Sequence, residues 1–349
     1  MATHISAIPA VNADSPQAEG SAFPTIAVVP VAGHGTRLRP LSAFIPKELL
    51  PIGRHLALWR IAGELAHAGI RRIVFVVSPE KQSFVERCFT GHEERSVLAS
   101  LSIDYCVQPT MRGLGDAVLC AREAVADQPF LVALGDAVYE ENEPGGLIRR
   151  LMGAYVAEQA SVGLAVQRVP KNRLSRYGVV RPVRPLTVTD ATIASVPAGA
   201  ELAALASPPT LAGIAEIAGD PEESLPDVLT IDDIVEKPAP EDAPSDLAAA
   251  ARYVLSPEVF AVLAETAPDG RGEVQLTTAL RTLLRSGKKG VAVPLRNDEV
   301  RHDIGSPDSY FRAFVTFAAR DPEQGPEFVA FLRRFAEERR FDREESENR

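Results

Sequence analysis

Residues 25–51 read TIAVVPVAGHGTRLRPLSAFIPKELLP, an apolar, β-branched run followed by a loop with two glycines and several cations. A continuous run such as TIAVVPV (25–31) is typical of a strand buried on both faces of a parallel sheet. Gly33 and Gly35 allow a tight turn after the strand and a close approach of backbone N–H groups to a ligand. The stretch therefore predicts an α/β protein with a ligand site at the carboxyl end of its first strand.

Strand-like and helical segments alternate along the rest of the chain, which is the pattern of βα units around a mostly parallel central sheet flanked by helices. The predicted strands are 25–31, 72–78, 102–108, 129–136, 161–169, 177–183, 231–238, 251–256 and 290–296. The predicted helices are 56–69, 80–88, 113–125, 256–265, 273–286 and 307–320. Apolar residues recur at helical spacing within 113–125, so this helix should pack on the sheet.

The composition divides the chain into three parts. The sequence predicts a disordered tail over residues 1–24 and a single domain over 25–320. Inside that domain, 184–229 is rich in Ala and Pro with weak periodicity, which predicts an insertion of irregular structure. Residues 321–349 begin as an amphipathic helix and end in a charged tail. These final helices favour self-association as a dimer or tetramer.

The charge and the apolar content exclude several classes of partner. A formal net charge of −10 and a pI near 5.3 argue against a nucleic-acid polymer, which requires clustered Lys and Arg. No apolar run approaches the roughly 20 residues of a membrane span, and the first residues lack the features of a secretory signal. The three cysteines show no metal-ligand spacing and indicate buried thiols. We therefore expect a cytoplasmic protein without a membrane partner, in which a few local cations capture any anionic ligand.

The glycine loop does not fit the two common nucleotide-binding motifs. A dinucleotide-binding fingerprint requires glycine where this chain has Leu38, and the Gly-Lys-Ser/Thr of a P-loop is absent. What remains is Gly33 and Gly35, followed by Arg37 and Lys47. Backbone donors, a guanidinium fork and an ammonium together suit a polyphosphate. A purely structural turn is the alternative.

Residues 33–51 resemble the signature of sugar nucleotidyltransferases, in particular the bacterial UTP:glucose-1-phosphate uridylyltransferases, whose pattern is G-x-G-T-R-x-x-P followed by P-K-E-x-L-P. The resemblance continues in order over about 25–320 through QPTMRGLGDAVLCA (108–121), LGDAV (134–138), RYGVV (176–180), VEKP (235–238), ARYVLSPEVF (251–260), GEVQLTTAL (272–280) and RHDIG (301–305). It implies a Rossmann-like nucleotidyltransferase fold with a smaller sugar-binding part and C-terminal helices, in which 25–320 is the catalytic domain. It also implies transfer of a uridylyl group from UTP to glucose 1-phosphate, giving UDP-glucose and pyrophosphate.

The resemblance implies a role for each matching residue. The nucleotide would be bound by Ala32, Gly33, Gly35, Gln108, Gly113 and Asp136, and Mg²⁺ by Asp136 and Asp303. A glutamine amide has both the donor and the acceptor that a uracil edge requires, and Gly113 would leave room for a flat base. A capped helix start is the alternative for this segment. Mg²⁺ prefers one or two carboxylates with water and substrate phosphates, so Asp136 at a strand end is chemically adequate.

The remaining implied roles concern the sugar phosphate and catalysis. By resemblance, Gly178, Glu236 and Lys237 bind glucose 1-phosphate, in keeping with a carboxylate that accepts from sugar hydroxyls and an ammonium that meets a phosphate. The implied catalytic residues are Arg37, Lys47 and Lys237. A sugar phosphate has a second pKa of about 6 and is mostly dianionic at neutral pH. An in-line attack on the α-phosphorus of UTP therefore needs no general base.

Two departures from the family pattern bear on these assignments. Ser42 and Ala43 stand where the family carries a Thr-Lys pair, so one phosphate-side cation is lost, with Arg39 as an offset. Asp136 in LGDAV (134–138) also has no second acidic residue next to it in the sequence. Two alternatives stay open: transfer of another nucleotide or to another sugar phosphate, and a non-catalytic nucleotide-sugar-binding protein that kept the fold.

Overall fold

The computed structural model describes residues 23–90, 97–186 and 225–347. All but the last two residues of the predicted tail, and positions 187–224 of the predicted insertion, lie outside these ranges. The described strands, in chain order, are β1 (Ile26–Pro30), β2 (Pro51–Ile52), β3 (His55–Leu56), β4 (Arg72–Val77), β5 (Ser102–Val107), β6 (Phe130–Ala133), β7 (Ala137–Glu140), β8 (Val162–Arg168), β9 (Gly178–Leu186), β10 (Val228–Glu236), β11 (Leu247–Leu255), β12 (Gly290–Pro294) and β13 (Val300–Asp303). The described α-helices are α1 (Ala57–His67), α2 (Gln82–Phe89), α3 (Leu114–Cys120), α4 (Arg122–Val125), α5 (Gly146–Ala157), α6 (Glu258–Glu265), α7 (Leu276–Arg285), α8 (Pro307–Ala319) and α9 (Gly325–Glu347).

The central sheet has the strand order β5-β4-β1-β6-β11-β8-β12-β10-β9. The strands β5, β4, β1 and β6 pair in parallel, and so do β8 and β12. The other described pairings of this sheet are antiparallel, and β9 also pairs with β11, so the second half curls back on itself. The expectation of a mostly parallel sheet thus holds for the first half and not for the second. Strand-like segments do not encode direction, and antiparallel neighbours need no crossover helix.

Two apolar cores cover the two faces of the sheet. Along β1, Ala27 and Val29 belong to one core and Ile26 and Val28 to the other, as the two-residue period of a strand requires. The first core includes side chains of α1 and α5, and the second includes side chains of α3, α6 and α7. Because both faces are buried, TIAVVPV (25–31) shows no alternation of apolar and polar residues.

One predicted helix is divided in two, and another begins three residues later than predicted. The predicted helix 113–125 is divided into α3 and α4 at Ala121, although its apolar face is buried as expected. The predicted helix 273–286 begins only at Leu276. The reason is that the backbone of Val274 is hydrogen-bonded to the loop before α3 and to the first turn of that helix.

The strand β11 is longer than predicted. It begins at Leu247, whereas the sequence predicted a start at Ala251. The run LAAAA (247–251) lacks the β-branched and aromatic residues that signal a strand, yet all of its side chains are buried.

The C-terminal part is helical over a longer range than predicted, because α9 continues to Glu347 where the sequence predicted a charged tail. Ser306 caps α8: its hydroxyl accepts from Ser309 N, and the Ser309 hydroxyl accepts from Ser306 N. The helix α9 follows after a short turn and contacts α8. Among the helices within the described ranges, none is long and apolar enough to cross a membrane.

Candidate active site

The predicted nucleotide-binding residues lie at the carboxyl ends of parallel strands. The glycine loop follows β1, Gln108 follows β5 and Asp136 follows β6. Because these strands run in one direction, their carboxyl ends lie on one edge of the sheet, where open α/β sheets bind ligands. Backbone hydrogen bonds hold the loops at this edge: Gln108 N donates to Val77 O at 2.8 Å, and Gly135 N donates to Pro30 O at 3.4 Å.

The glycine loop (residues 31–38) presents unused backbone donors. Gly35 has a φ of 62°, which favours glycine, and it precedes a short 3₁₀ helix (Thr36–Leu38). Gly33 has no described atom within 4 Å of the position where a side chain would begin. Within the part of the chain that the structure describes, the N–H groups of residues 32–35 make no hydrogen bond. The loop can therefore receive an anion.

Lys47 and Asp136 form the central ion pair of the site. Lys47 lies on a 3₁₀ helix (Lys47–Leu49), and its Nζ donates to Asp136 Oδ2 at 2.5 Å. Burial raises the pKa of the Asp136 carboxyl, but Lys47 and then Arg301 outweigh burial and hold this pKa below its usual value. Burial likewise lowers the pKa of Lys47, yet Asp136 and then Glu48 raise it above its usual value. Both side chains are therefore charged at neutral pH.

A two-stranded ribbon brings a second carboxylate beside Asp136. The strands β7 and β13 pair in antiparallel fashion, with Asp303 opposite Ala137, and Ile304 N donates to Asp136 O at 2.9 Å. Gly305 N donates to Asp303 Oδ1 at 2.6 Å and so orients this carboxylate. The two predicted metal ligands come from distant parts of the sequence and lie next to each other.

Arg37 approaches the second carboxylate from the glycine loop. A side chain at Gly305 would begin 2.8 Å from Arg37 Nη2 and 2.8 Å from Asp303 Oδ1, so both groups lie close to this glycine. Arg37 is exposed. Its guanidinium can therefore meet a phosphate at this edge of the sheet.

The carboxylates of Asp136 and Asp303 fit Mg²⁺ that is bound together with a polyphosphate. Within the described ranges, no three His, Cys, Asp or Glu side chains are clustered closely enough to hold a metal ion by themselves. Mg²⁺ takes one or two carboxylates and fills its other positions with water and substrate phosphates. Two carboxylates at the same edge of the sheet as the unused donors of the glycine loop match that preference.

Gln108 is held in place by its own amide nitrogen. The side chain is buried, and Nε2 donates to Asp116 Oδ2 at 2.7 Å and to Gly113 O at 3.3 Å. The amide oxygen makes no hydrogen bond within the described residues, so it is left as an acceptor. Gly113 has a φ of 96°, and a side chain there would begin 2.8 Å from Val274 O. Glycine is thus required at 113 by the protein's own backbone, and the expectation that it also leaves room for a base stays a prediction.

The predicted sugar-binding residues lie together where β9 begins and β10 ends. Gly178 is opposite Glu236 in this pairing. Glu236 Oε2 accepts from Thr277 Oγ1 at 2.8 Å, and Glu236 Oε1 lies 2.9 Å from Lys237 Nζ. Lys237 has a φ of 45°, a left-handed conformation that costs a non-glycine residue about 1 kcal/mol or more. Lys237 N donates to Tyr177 O at 2.9 Å, which maintains this conformation.

The segment 273–277 joins the two groups of predicted residues. Val274 N donates to Arg112 O at 2.6 Å, and Gly115 N donates to Val274 O at 2.8 Å, beside the proposed base site. Three residues on, Thr277 bonds Glu236 and packs against Gly178, where a side chain would begin 2.8 Å from Thr277 Cγ2. The motif GEVQLTTAL therefore holds both halves of the site in one place.

Arg301 was not among the predicted site residues. Side chains alternate along β13, so Arg301 and Asp303 face the same side of this strand. His302 faces the other side, where its Nε2 lies 3.1 Å from Glu140 Oε2. The guanidinium carbon of Arg301 lies 5.1 Å from the centre of the Tyr177 ring, beside the start of β9. Its Nε is buried and has no hydrogen-bond partner among the described residues. Alternation within the RHDIG motif was the signal that could have found it.

The family of the chain follows from its sequence matches. Residues 26–192 and 206–320 match the nucleotidyl transferase family. The chain belongs to this family. The nucleotidyltransferase is 31% identical over 326 residues to a putative UTP–glucose-1-phosphate uridylyltransferase of Methanocaldococcus jannaschii, a match that covers 88% of this chain and 97% of that protein.

Two solved structures are similar to this nucleotidyltransferase over most of its length. UDP-glucose pyrophosphorylase complexed with UDP-glucose has a TM-score of 0.67 and 28% identity, covering 85% of this chain and 100% of that one. UTP-bound UGPase from Acinetobacter baumannii has a TM-score of 0.67 and 25% identity, covering 88% of this chain and 98% of that one. The predicted α/β nucleotidyltransferase fold is thereby confirmed.

Proposed function

We propose that this nucleotidyltransferase transfers the uridylyl group of UTP to glucose 1-phosphate and releases pyrophosphate. The observation that carries the proposal is the ion pair of Lys47 with Asp136, between the glycine loop and Asp303 at the carboxyl edge of the sheet. The choice of substrates is supported by the relatives, one named as a UTP–glucose-1-phosphate uridylyltransferase and two with UTP or UDP-glucose in their structures.

The nucleotide would be bound along the first half of the edge. Gln108 Nε2 is committed to Asp116, so its Oε1 is available to accept the N3–H of uracil. The backbone of the glycine loop would donate to the phosphates, and Gly113 would contact the base. The full proposed set is Ala32, Gly33, Gly35, Gln108, Gly113 and Asp136.

The sugar phosphate would be bound at the start of β9. Glu236 would accept from the hexose hydroxyls, and Gly178 would let the sugar approach the backbone. Lys237 is about half exposed, so its ammonium can leave Glu236 and meet the phosphate. The hydrogen bond from Thr277 to Glu236 keeps the proposed sugar-binding residues near the proposed nucleotide-binding residues.

The reaction would be an in-line attack that requires positioning and charge neutralisation. The sugar phosphate has a second pKa of about 6, so at neutral pH its oxygen attacks the α-phosphorus without a general base. Arg37, Lys47 and Lys237 would neutralise the two anions that must meet, and the charge of Arg301, which lowers the pKa of Asp136, would add to the positive potential there. Asp136 and Asp303 would hold Mg²⁺, which when bound would supply positive charge to the phosphate oxygens of UTP.

Three further proposals concern the whole molecule. Residues 25–320 would form the catalytic domain, and the protein would act in the cytoplasm. It would also assemble as a homo-oligomer, a dimer or a tetramer. Phe311 on α8 and Phe331 on α9 are 57% and 49% exposed, and an interface that covers them would remove apolar surface from water.

The proposal is tested by measuring pyrophosphate release from a matrix of nucleoside triphosphates and sugar 1-phosphates with Mg²⁺. We expect UTP with glucose 1-phosphate to give the highest kcat/KM, and we expect chelation of Mg²⁺ to stop the reaction. Asp136→Asn is the control for a contaminating enzyme, because it should lack activity in the same preparation.

Each other result points to a different function. A higher kcat/KM with dTTP, or with another sugar phosphate, would assign the chain to another sugar nucleotidyltransferase. Binding of UDP-glucose without pyrophosphate release from any pair would indicate a non-catalytic binding protein. Either result contradicts the proposal.

A further inference from the structure

Lys81 lies behind the glycine loop, outside the residues assigned to substrates. It immediately precedes α2, shortly after β4, which is the parallel neighbour of β1. Its Nζ donates to Val31 O at 2.9 Å, to Gly33 O at 2.5 Å and to Glu48 Oε2 at 2.9 Å. An ammonium has three N–H donors, so all of them are used within the protein and none is left for a substrate.

The two carbonyl bonds determine which way the loop donors point. In a trans peptide, the carbonyl of one residue and the N–H of the next point in opposite directions. Because Lys81 binds the carbonyls of Val31 and Gly33, the N–H groups of Ala32 and His34 point away from Lys81. Both N–H groups are among those without a hydrogen bond in the described ranges. Lys81 thus sets the side of the loop on which an anion is received.

Glu48 neutralises this ammonium. Its side chain is 2% exposed, and burial raises the pKa of its carboxyl, with Lys81 and then Lys47 opposing that effect. A buried ion pair persists only where its geometry and its other hydrogen bonds compensate for lost hydration, as the three bonds of Lys81 do. Lys47 and Glu48 are neighbours on one 3₁₀ helix, so a single turn supplies the cation for Asp136 and the anion for Lys81.

We infer that Lys81 is a positioning residue, which orients the glycine loop for the triphosphate without touching it. The identity of the nucleotide rests on the proposed function, whereas the orientation of the loop does not. Lys81→Met removes the charge and all three donors and keeps most of the side-chain length. The peptide planes of the loop would then turn, and its donors would no longer form a preformed site for phosphates.

The first test is the Michaelis constant for each substrate. In Lys81→Met, we expect KM for UTP to rise by about ten-fold or more, because the phosphate donors are no longer held in place. KM for glucose 1-phosphate should change less than about two-fold, since Lys81 bonds none of the proposed sugar residues. Unchanged KM for UTP, or an equal rise for both substrates, overturns the inference.

Arg150→Met is the matched control. Arg150 is also a buried cation, and it donates to both carboxylate oxygens of Glu299, at 2.6 Å and 2.8 Å, and to Pro294 O at 3.3 Å. Loss of this pair should lower the melting temperature as Lys81→Met does, but leave KM for UTP unchanged. A similar rise in KM for UTP in Arg150→Met would assign the effect of Lys81 to general destabilisation and overturn the inference.

The second test requires no substrate. Amide hydrogen exchange of a peptide that covers 27–38 should be faster in Lys81→Met than in the wild-type protein and in Arg150→Met. If the wild-type protein transfers no uridylyl group, the proposed function fails, while this exchange still decides the role of Lys81. Equal exchange in the three proteins contradicts the inference. If the methionine variant does not fold, Lys81→Gln takes its place, with the same expected and contrary results.

Discussion

Lys47 Nζ and Asp136 Oδ2 lie 2.5 Å apart, so the cation assigned to the phosphates and the carboxylate assigned to the metal neutralise each other within the protein. A divalent cation held through Asp136 Oδ2 would have to displace this ammonium. Lys47 would then be available to the phosphates that arrive with the cation. The pair therefore competes with the metal as well as preparing the site for it.

Lys47→Met separates these two effects. We expect kcat/KM to fall by about 10²-fold or more, the usual loss when one charge-stabilising donor is removed. Binding of Mn²⁺ without nucleotide, measured by electron paramagnetic resonance, should become tighter because the competing ammonium is gone. Lys289→Met is the control, since Lys289 Nζ donates to the backbone carbonyl of Glu158 at the surface and, among the described residues, to none of the proposed site. Weaker Mn²⁺ binding in Lys47→Met would refute the competition.

Asp136→Asn should nearly abolish Mg²⁺-dependent turnover and leave the fold intact. The substitution preserves the size of the side chain but removes the charge that attracts both the metal and Lys47. Turnover is measured by pyrophosphate release, and the fold by circular dichroism. Asp104→Asn, which changes an exposed ion pair with Arg72, should keep wild-type turnover. Normal activity in Asp136→Asn would show that the metal is held elsewhere.

Lys237→Ala should raise KM for the sugar phosphate by about ten-fold and lower kcat, because the ammonium that meets the phosphate is lost. The dissociation constant for UTP, measured by calorimetry, should change little. Lys237→Gly controls for the backbone, since glycine adopts a φ of 45° without strain. Both variants should show the same defect in KM. Recovery of activity in the glycine variant would assign the effect to conformation instead of charge.

Gln108→Ala should loosen the choice of base. The expected result is a decrease of about ten-fold or more in the ratio of kcat/KM for UTP to kcat/KM for CTP, because the acceptor for N3–H is removed. Arg112→Ala is the matched control: Arg112 is the other partner of Asp116, with a 2.7 Å bond, and its loss leaves the Gln108 amide in place. An unchanged ratio in Gln108→Ala would move base recognition to another residue.

Glu141 should make folding stability depend on pH. Burial and then Glu64 raise the pKa of this carboxyl from 4.5 to about 8, although it accepts from Gly145 N and Leu147 N. The native state therefore holds this proton more tightly than the unfolded chain. The resulting stabilisation is complete below about pH 4.5 and is lost as pH rises toward 8.

The measurement is the free energy of unfolding of wild-type protein minus that of Glu141→Gln, obtained from urea titrations between pH 5 and pH 8.5. This difference should decrease steadily as pH rises. Glu258→Gln is the control, because Lys288 lowers the pKa of Glu258. This carboxyl is therefore ionised in both the native and the unfolded protein between pH 5 and pH 8.5. A flat or rising difference for Glu141→Gln would contradict the assignment.

The sequence was sufficient for the features that depend on local pattern. The apolar run of β1, the glycines after it and Asp136 at the end of an apolar segment predicted the carboxyl edge of the sheet as the site. Parallel strands bring such loops together without further information. The family motifs then supplied Asp303 and Lys237, which no local pattern would have selected.

The sequence could not supply the features that depend on distant pairing or on backbone atoms. The position of Asp303 beside Asp136 results from the antiparallel pairing of β7 with β13. The sequence of a strand does not show which strand it pairs with or in which direction. Lys81 was missed because two of its three partners are carbonyl oxygens, which are the same in every residue. The need for glycine at 113 arises from the backbone of Val274, which packs there only after folding.

The segment 273–277 supports the proposed base pocket at one end and the proposed hexose pocket at the other. A substitution that shifts this segment would therefore alter both preferences at once. Descendants of such a protein would acquire a new base and a new sugar as a linked pair of traits, unless the change arose in Gln108 or Glu236 themselves.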